Sequence, residues 1–244
     1  MTDSSPPDLG RPRPFAHYDR RGYRTVGVEE GYAEWSRIYS DFDRRFDLDL
    51  FEASTLLRER LPGAAVVDLG CGTGRIGEHA RGRGARSVVG VDRSSHMLEG
   101  ARLRGEYDEL ALGDMCITRL EAKRFDGVLT SMSLCHVEDL PEFYAEARRL
   151  VRDEGWLCIV DFHPFFLFQG IPSHFSHPDT GEHIAVHNFI HGLGDHFGAA
   201  RRAGFEVVEL EERYVTDEWA EAKPAYDKFL GWPVTFMMSA RVAS

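Results

Sequence analysis

From residue 64 onward the apolar and polar positions switch repeatedly between two periods. Apolar runs of strand length fall at 64–69, 87–92, 108–112, 125–131 and 155–161, and stretches with helical spacing fall at 74–83, 95–104 and 140–151. This alternation predicts a parallel sheet with helices on both faces. A helix from about 194 ends in Arg201-Arg202-Ala203-Gly204, and strands are expected at 205–213 and 233–241. Two strands joined by a loop, after a run of βα units, imply that the last of the seven runs antiparallel. Upstream, Tyr32, Trp35, Ile38 and Tyr39, then Phe51, Leu56 and Leu57, carry helical spacing over 28–60. Residues 1–14 are too polar and Pro-rich to fold alone, so 1–27 is expected to be a flexible arm before a single domain, 28–244.

Residues 162–192 break the alternation. Phe162, Phe165, Phe166, Leu167 and Phe168 form an aromatic run, and histidines crowd the segment at 163, 174, 177, 183, 187 and 191. Pro178-Asp179-Thr180-Gly181 is a turn signal, so the flanks 173–177 and 182–190 are expected to pair as a hairpin. A connection this long in a compact domain usually carries function, and its place after a strand end predicts a lid.

Composition narrows the function. A chain of 244 residues with 43% hydrophobic content can bury one large core. The formal charge of −11 argues against a nucleic-acid partner, which calls for a basic stripe. The arginines at 11, 13, 20, 21 and 24 are the one basic cluster and read as a solvated arm. No run approaches the roughly 20 apolar residues of a membrane span, and no signal-peptide h-region opens the chain. The cysteines at 71, 116, 135 and 158 form no C-x-x-C pair, which suits reduced thiols in a cytoplasmic protein.

The chemistry concentrates at Val66-Val67-Asp68-Leu69-Gly70-Cys71-Gly72-Thr73-Gly74, followed by Val88-Val89-Gly90-Val91-Asp92. A strand, a glycine-dense turn, a helix and a second strand ending in Asp describe a site for an adenosine-containing cofactor. The turn lets backbone approach the ligand, and Asp92 can accept both ribose hydroxyls. Two cofactor classes compete. A dinucleotide wants G-x-G-x-x-G directly after the strand, and Gly72-Thr73-Gly74-Arg75-Ile76-Gly77 matches, but two residues late. The glycines directly after the strand are Gly70, Gly72 and Gly74, preceded by Asp68.

That G-x-G-x-G spacing resembles the motif of class I S-adenosylmethionine-dependent methyltransferases. The likeness extends to Ser94-Ser95-His96-Met97-Leu98, Gly113-Asp114-Met115, Phe125-Asp126-Gly127-Val128-Leu129-Thr130-Ser131, Leu134-Cys135-His136-Val137 and Gly155-Trp156-Leu157-Cys158-Ile159-Val160-Asp161. It covers 60–161 closely and 192–241 loosely. The resemblance implies a Rossmann-like α/β fold, S-adenosylmethionine as cofactor, and methyl transfer to an oxygen, nitrogen or carbon of a small molecule. It implies cofactor contacts from Asp68, Gly70, Cys71, Gly72, Asp92, Arg93, Met97, Asp114, Met115 and Ser131. Tyr39 resembles the N-terminal tyrosine that closes over the methyl donor in small-molecule members. An NAD(P)-dependent oxidoreductase and a non-methylating use of S-adenosylmethionine remain as alternatives.

The histidines raise two further readings. His183, His187 and His191 recur every fourth residue, as metal ligands do on a helix face, but no H-E-x-x-H or cysteine partner accompanies them, so no metal site is expected. A general base for the acceptor is the better reading, with His191 the first candidate and His163 the second, because histidine titrates near neutral pH. His136 is expected to be structural.

Overall fold

The computed structural model describes residues 13–39 and 44–243. After a short strand β1 (Arg24–Val26) come three helices, α1 (Val28–Trp35), α2 (Leu48–Ala53) and α3 (Thr55–Arg60). The alternating part follows as β2 (Ala65–Leu69), α4 (Arg75–Gly82), β3 (Ser87–Asp92), α5 (Ser95–Arg104) and β4 (Glu109–Leu112). It continues with β5 (Phe125–Ser131), α6 (Leu140–Leu150) and β6 (Val151–Phe162). The region expected to be a lid holds a short helix α7 (Pro164–Phe168) and strands β7 (His174–Ser176) and β8 (His183–Val186). The chain closes with α8 (Leu193–Arg202), β9 (Phe205–Tyr214), α9 (Asp217–Ala222) and β10 (Pro233–Val242).

Seven strands form one sheet in the order β4-β3-β2-β5-β6-β10-β9. Strands β2 to β6 pair in parallel, and β10 runs antiparallel to both β6 and β9. The sheet is therefore mostly parallel with a reversed last strand. Its chain path turns back between β2 and β5, which opens a crevice at their carboxyl ends, the usual ligand position in such sheets.

Side-chain alternation along the strands divides the core in two. Val67, Leu69, Val89, Val128, Leu157 and Ile159 pack against Phe143, Tyr144 and Ala147 of α6 and Ala199 of α8. On the other face Val66, Val88, Leu129 and Val160 pack against Phe51, Leu57, Ile76 and Ala80 of α2, α3 and α4. The hairpin forms as expected, with Phe175 opposite Ile184.

The expectation of a flexible arm over 1–27 needs correcting for its described part. Arg24, Thr25 and Val26 pair in parallel with Ile184, Ala185 and Val186, so β1 adds a third strand to the hairpin. Phe15 is 5% exposed, its N–H donates to the Asn188 carbonyl at 2.9 Å, and the Ile190 N–H donates to the Arg13 carbonyl at 2.9 Å. Arg13 and Arg24, read as a solvated cluster, pair with Asp195 at 2.5 Å and Glu182 at 3.1 Å. The partners lie 158 to 182 residues away in sequence, so no local period announces them. Arg11 and the rest of 1–12 lie outside the described residues.

Candidate cofactor cleft

A cleft opens over the carboxyl ends of β2, β3, β4 and β5. Its floor is the turn after β2. Gly70 sits at φ +74°, and a Cβ there would meet Ser133 Oγ at 2.5 Å, so the turn closes against the end of β5 only with glycine. Gly72, at φ +52°, has no atom within 4 Å of the position a Cβ would take, so the backbone itself faces the open cleft.

Asp92 holds the turn in place. Its Oδ2 accepts the Gly72 N–H at 2.8 Å and its Oδ1 accepts the Ser94 N–H at 2.8 Å. Burial raises its pKa despite these donors. Ser94 in turn caps α5 through the Met97 N–H at 3.3 Å, which seats Met97 in the cleft wall. Gly113 and Met115 continue the wall beyond β4. Arg93 and Asp114 pair at 2.6 Å on the rim, where a second cavity adjoins through Arg93, Met115 and His136.

The opposite wall comes from the N-terminal helices and β5. Tyr39 lines it, with its pKa pushed up to about 12 by burial. Asp47, the N-cap of α2, is fully buried; its Oδ1 accepts the Leu48 N–H at 2.6 Å and its Oδ2 accepts the Ser131 hydroxyl at 2.7 Å. Arg75, the first residue of α4, donates to the same Oδ2.

Above the cleft, the Tyr32 hydroxyl and His136 Nε2 lie 2.9 Å apart, and His136 Nδ1 lies 2.7 Å from the His187 carbonyl. A carbonyl only accepts, so Nδ1 carries the proton and the Nε2 lone pair accepts from Tyr32. Burial lowers the His136 pKa to about 4, which keeps the ring neutral.

Of the residues expected at the cofactor, Tyr39, Gly70, Cys71, Gly72, Asp92, Arg93, Met97, Met115 and Ser131 line this cleft, and Asp114 lines the adjoining cavity. Asp68 does not. It shares the strand face of Val66, so it points beneath α4, is fully buried, and its Oδ2 accepts the Tyr107 hydroxyl at 2.7 Å. Burial pushes its pKa up to about 7. The Tyr107 hydroxyl also accepts the Gly77 N–H at 3.1 Å, and a Cβ on Gly77 would overlap the Tyr107 ring at 2.2 Å. Gly77, the last glycine of the dinucleotide-like match, thus lies inside α4 and makes room for a tyrosine.

Neither expected base lines the cleft. His191 Nε2 donates to the Val137 carbonyl at 2.7 Å in a buried setting. The His163 ring caps α7 through the Phe165 N–H at 3.1 Å and pairs with Glu212 at 2.7 Å. Both rings are engaged by these partners, and neither is among the residues that line the cleft. His183 Nδ1 faces the Ser176 hydroxyl at 3.1 Å, and among the described residues no cluster of three or more His, Cys, Asp or Glu is placed to hold a metal ion. Sequence reasoning missed Tyr32, Asp47 and Arg75. Tyr32 stands two helical turns before Tyr39, a spacing that marks one face; nothing in the sequence links Asp47 to Arg75.

Comparison with known proteins agrees with this geometry. Residues 67–159 match the family described as methyltransferase domain. An uncharacterized methyltransferase of Emericella nidulans is 31% identical over 81% of this chain and 85% of its own length. A ubiquinone biosynthesis O-methyltransferase of Rhodopseudomonas palustris is 30% identical over 45% of this chain and 44% of its own. In fold, an S-adenosylmethionine-dependent methyltransferase from Mesorhizobium loti superposes with a TM-score of 0.65 at 24% identity, over 81% of this chain and 97% of that one. The chain belongs to the class I S-adenosylmethionine-dependent methyltransferases, and S-adenosylmethionine is its cofactor.

Proposed function

We propose that the enzyme transfers the cofactor's methyl group to an oxygen, nitrogen or carbon of a small-molecule acceptor held under the N-terminal helices and the lid. The observation that carries this reading is the glycine turn held open by Asp92 over the sheet's switch point, roofed by Tyr32 and Tyr39. The residues fit the cofactor: Gly72 leaves a cradle that a Cβ would fill, and Asp92 keeps lone pairs for the two ribose hydroxyls beyond the backbone donors it already accepts. Met97 and Met115 would flank the adenine, Asp114 and Arg93 would border its amine edge, and Gly70, Cys71, Ser131 and Tyr39 would surround the sulfonium.

S-adenosylmethionine supplies the activated methyl group. The chain's own residues bind and orient both partners and exclude water. His136 enters as a neutral hydrogen-bonding link, since its lowered pKa makes it a weak base at neutral pH. Relatives that carry O-methyltransferase names support a small-molecule acceptor. The net charge of −11 supports an acceptor other than nucleic acid. We place the enzyme in the cytoplasm, a reading supported by its four free thiols; no helix among the described residues is long and apolar enough to cross a membrane.

Incubation with S-adenosylmethionine and a panel of phenols, amines and acidic carbon compounds tests the reading by mass spectrometry. A methylated acceptor formed together with S-adenosylhomocysteine supports it. Release of methylthioadenosine with no methylated product replaces methyl transfer by other chemistry of the same cofactor.

A further inference from the structure

The connection between β9 and β10 places a tryptophan where its polar atom has nothing to meet. Strands β6 and β10 run antiparallel with Phe162 opposite Thr235, and Tyr214 lies opposite Pro233, so residues 215–232 emerge at the same edge of the sheet as the cleft. There Trp219 packs with Phe46, Met132, Phe166, Val215 and Val234, and Tyr226 stacks on its ring at 5.4 Å and 12°. Trp219 is 1% exposed, and its Nε1–H has no hydrogen-bond partner. A buried donor without an acceptor bears the full cost of its desolvation, and a phenylalanine would fill most of this space with no donor to satisfy.

Met132 joins this cluster to the cofactor cleft. It follows Ser131 at the end of β5, lines the cleft and belongs to the aromatic cluster as well. Its φ of +55° is a left-handed conformation that a residue with a side chain adopts at a cost, and its N–H is held by the Val160 carbonyl at 2.9 Å. The strained residue stands with the cleft on one side and the cluster of the unpartnered indole on the other. With the sulfonium beside Ser131, a molecule that receives the methyl group next to Met132 extends away from the cofactor, toward β6 and β10. It meets aromatic faces there, and a donor without a partner.

Resting on the methyltransferase reading, we propose that the acceptor is a planar aromatic molecule with a hydrogen-bond-accepting oxygen remote from the methylated atom, and that the Trp219 Nε1–H selects it by binding that oxygen. The surrounding rings favour a flat ligand through stacked and edge-to-face contacts. The partly buried Tyr226 and Phe229 give way to the ligand, which then reaches the indole. The N–H adds discrimination. An acceptor with the oxygen satisfies a donor that is already desolvated, whereas an analogue without it leaves that donor unpaired.

Titration of the S-adenosylhomocysteine-bound enzyme with three probes of similar size tests the inference. 4-Hydroxyacetophenone is flat and carries a carbonyl, 4-ethylphenol lacks the carbonyl, and 1-(4-hydroxycyclohexyl)ethanone lacks the flat ring. The first should bind about fivefold or more tighter than either of the others. In enzyme labelled with nitrogen-15 tryptophan it should move the Trp219 indole N–H resonance downfield, and 4-ethylphenol should not. That resonance is assigned by elimination from Trp35→Phe, Trp156→Phe and Trp232→Phe, so the readout stands even where Trp219→Phe does not fold. A folded Trp219→Phe should bind 4-hydroxyacetophenone within about twofold of 4-ethylphenol and keep its affinity for S-adenosylhomocysteine. Equal affinity of the unmodified enzyme for the two phenols, an unmoved Trp219 resonance, or equal losses of every probe and of S-adenosylhomocysteine in Trp219→Phe would overturn the inference. If S-adenosylhomocysteine does not bind, the cofactor reading falls and this inference with it; if it binds and no probe does, this inference alone falls.

Discussion

The Tyr32 hydroxyl donates to His136 Nε2 across 2.9 Å, joining the first N-terminal helix to the turn after β5. The direction of that bond is set from the far side of the ring, where Nδ1–H meets the His187 carbonyl at 2.7 Å. One imidazole thus links the first N-terminal helix, the turn after β5 and the end of the β7–β8 hairpin, and it does so only while neutral.

This neutrality has a pH signature. Burial holds the His136 pKa at about 4, below the usual 6.5, so its contribution to stability is complete above pH 6.5 and is lost as pH falls toward 4. Nitrogen-15 NMR should show a neutral ring protonated on Nδ1 from pH 7 to about pH 5. His136→Gln should reduce the loss of urea stability between pH 6.5 and 4.5 by about 1 kcal/mol, discounted for the ring's partial exposure. A ring that titrates near 6.5 would contradict this account.

The β7–β8 hairpin is paired with residues that precede the first helix. Strand β1 supplies the parallel neighbour of β8, and Arg13 ties to Asp195 at the start of α8. Deletion of residues 1–26 should speed proteolytic cleavage within 170–190 about tenfold or more, because the hairpin loses an edge and Phe15 leaves the core. An unchanged cleavage rate would show that the hairpin is held by the domain alone.

Gly77 and Tyr107 should prove energetically coupled. Gly77→Ala forces a Cβ into the Tyr107 ring and should cost about 1–3 kcal/mol of stability. Made in a Tyr107→Ala background, the same change should cost about 1 kcal/mol less or better. Cofactor affinity should stay the same in Gly77→Ala, since Gly77 does not line the cleft. A selective loss of cofactor binding would restore the dinucleotide register.

The seven strands, the hairpin turn at Pro178–Gly181 and the glycine turn with Asp92 were legible because each is set by a short local pattern. Asp68 shows where that legibility stops: its strand-end position is local, but the face it takes follows the pleat and leads under α4 to Tyr107. His191 and His163 show the same limit. Their backbones lie where expected, and their rings follow partners at Val137 and Glu212, distant in sequence. The Asp47–Arg75 pair and the β1–β8 pairing join segments with no common period, so only the folded chain reveals them.

Titration of S-adenosylmethionine into the enzyme and into Asp92→Ala tests the central claim most directly. The carboxylate holds the glycine turn through the Gly72 N–H; on the proposed function it also holds the ribose, and its loss should cost about 2–4 kcal/mol of binding. The account predicts a saturable binding isotherm for the unmodified enzyme and affinity weaker by about tenfold or more for a folded Asp92→Ala. Equal affinity in the two proteins, or no binding to either, would contradict it.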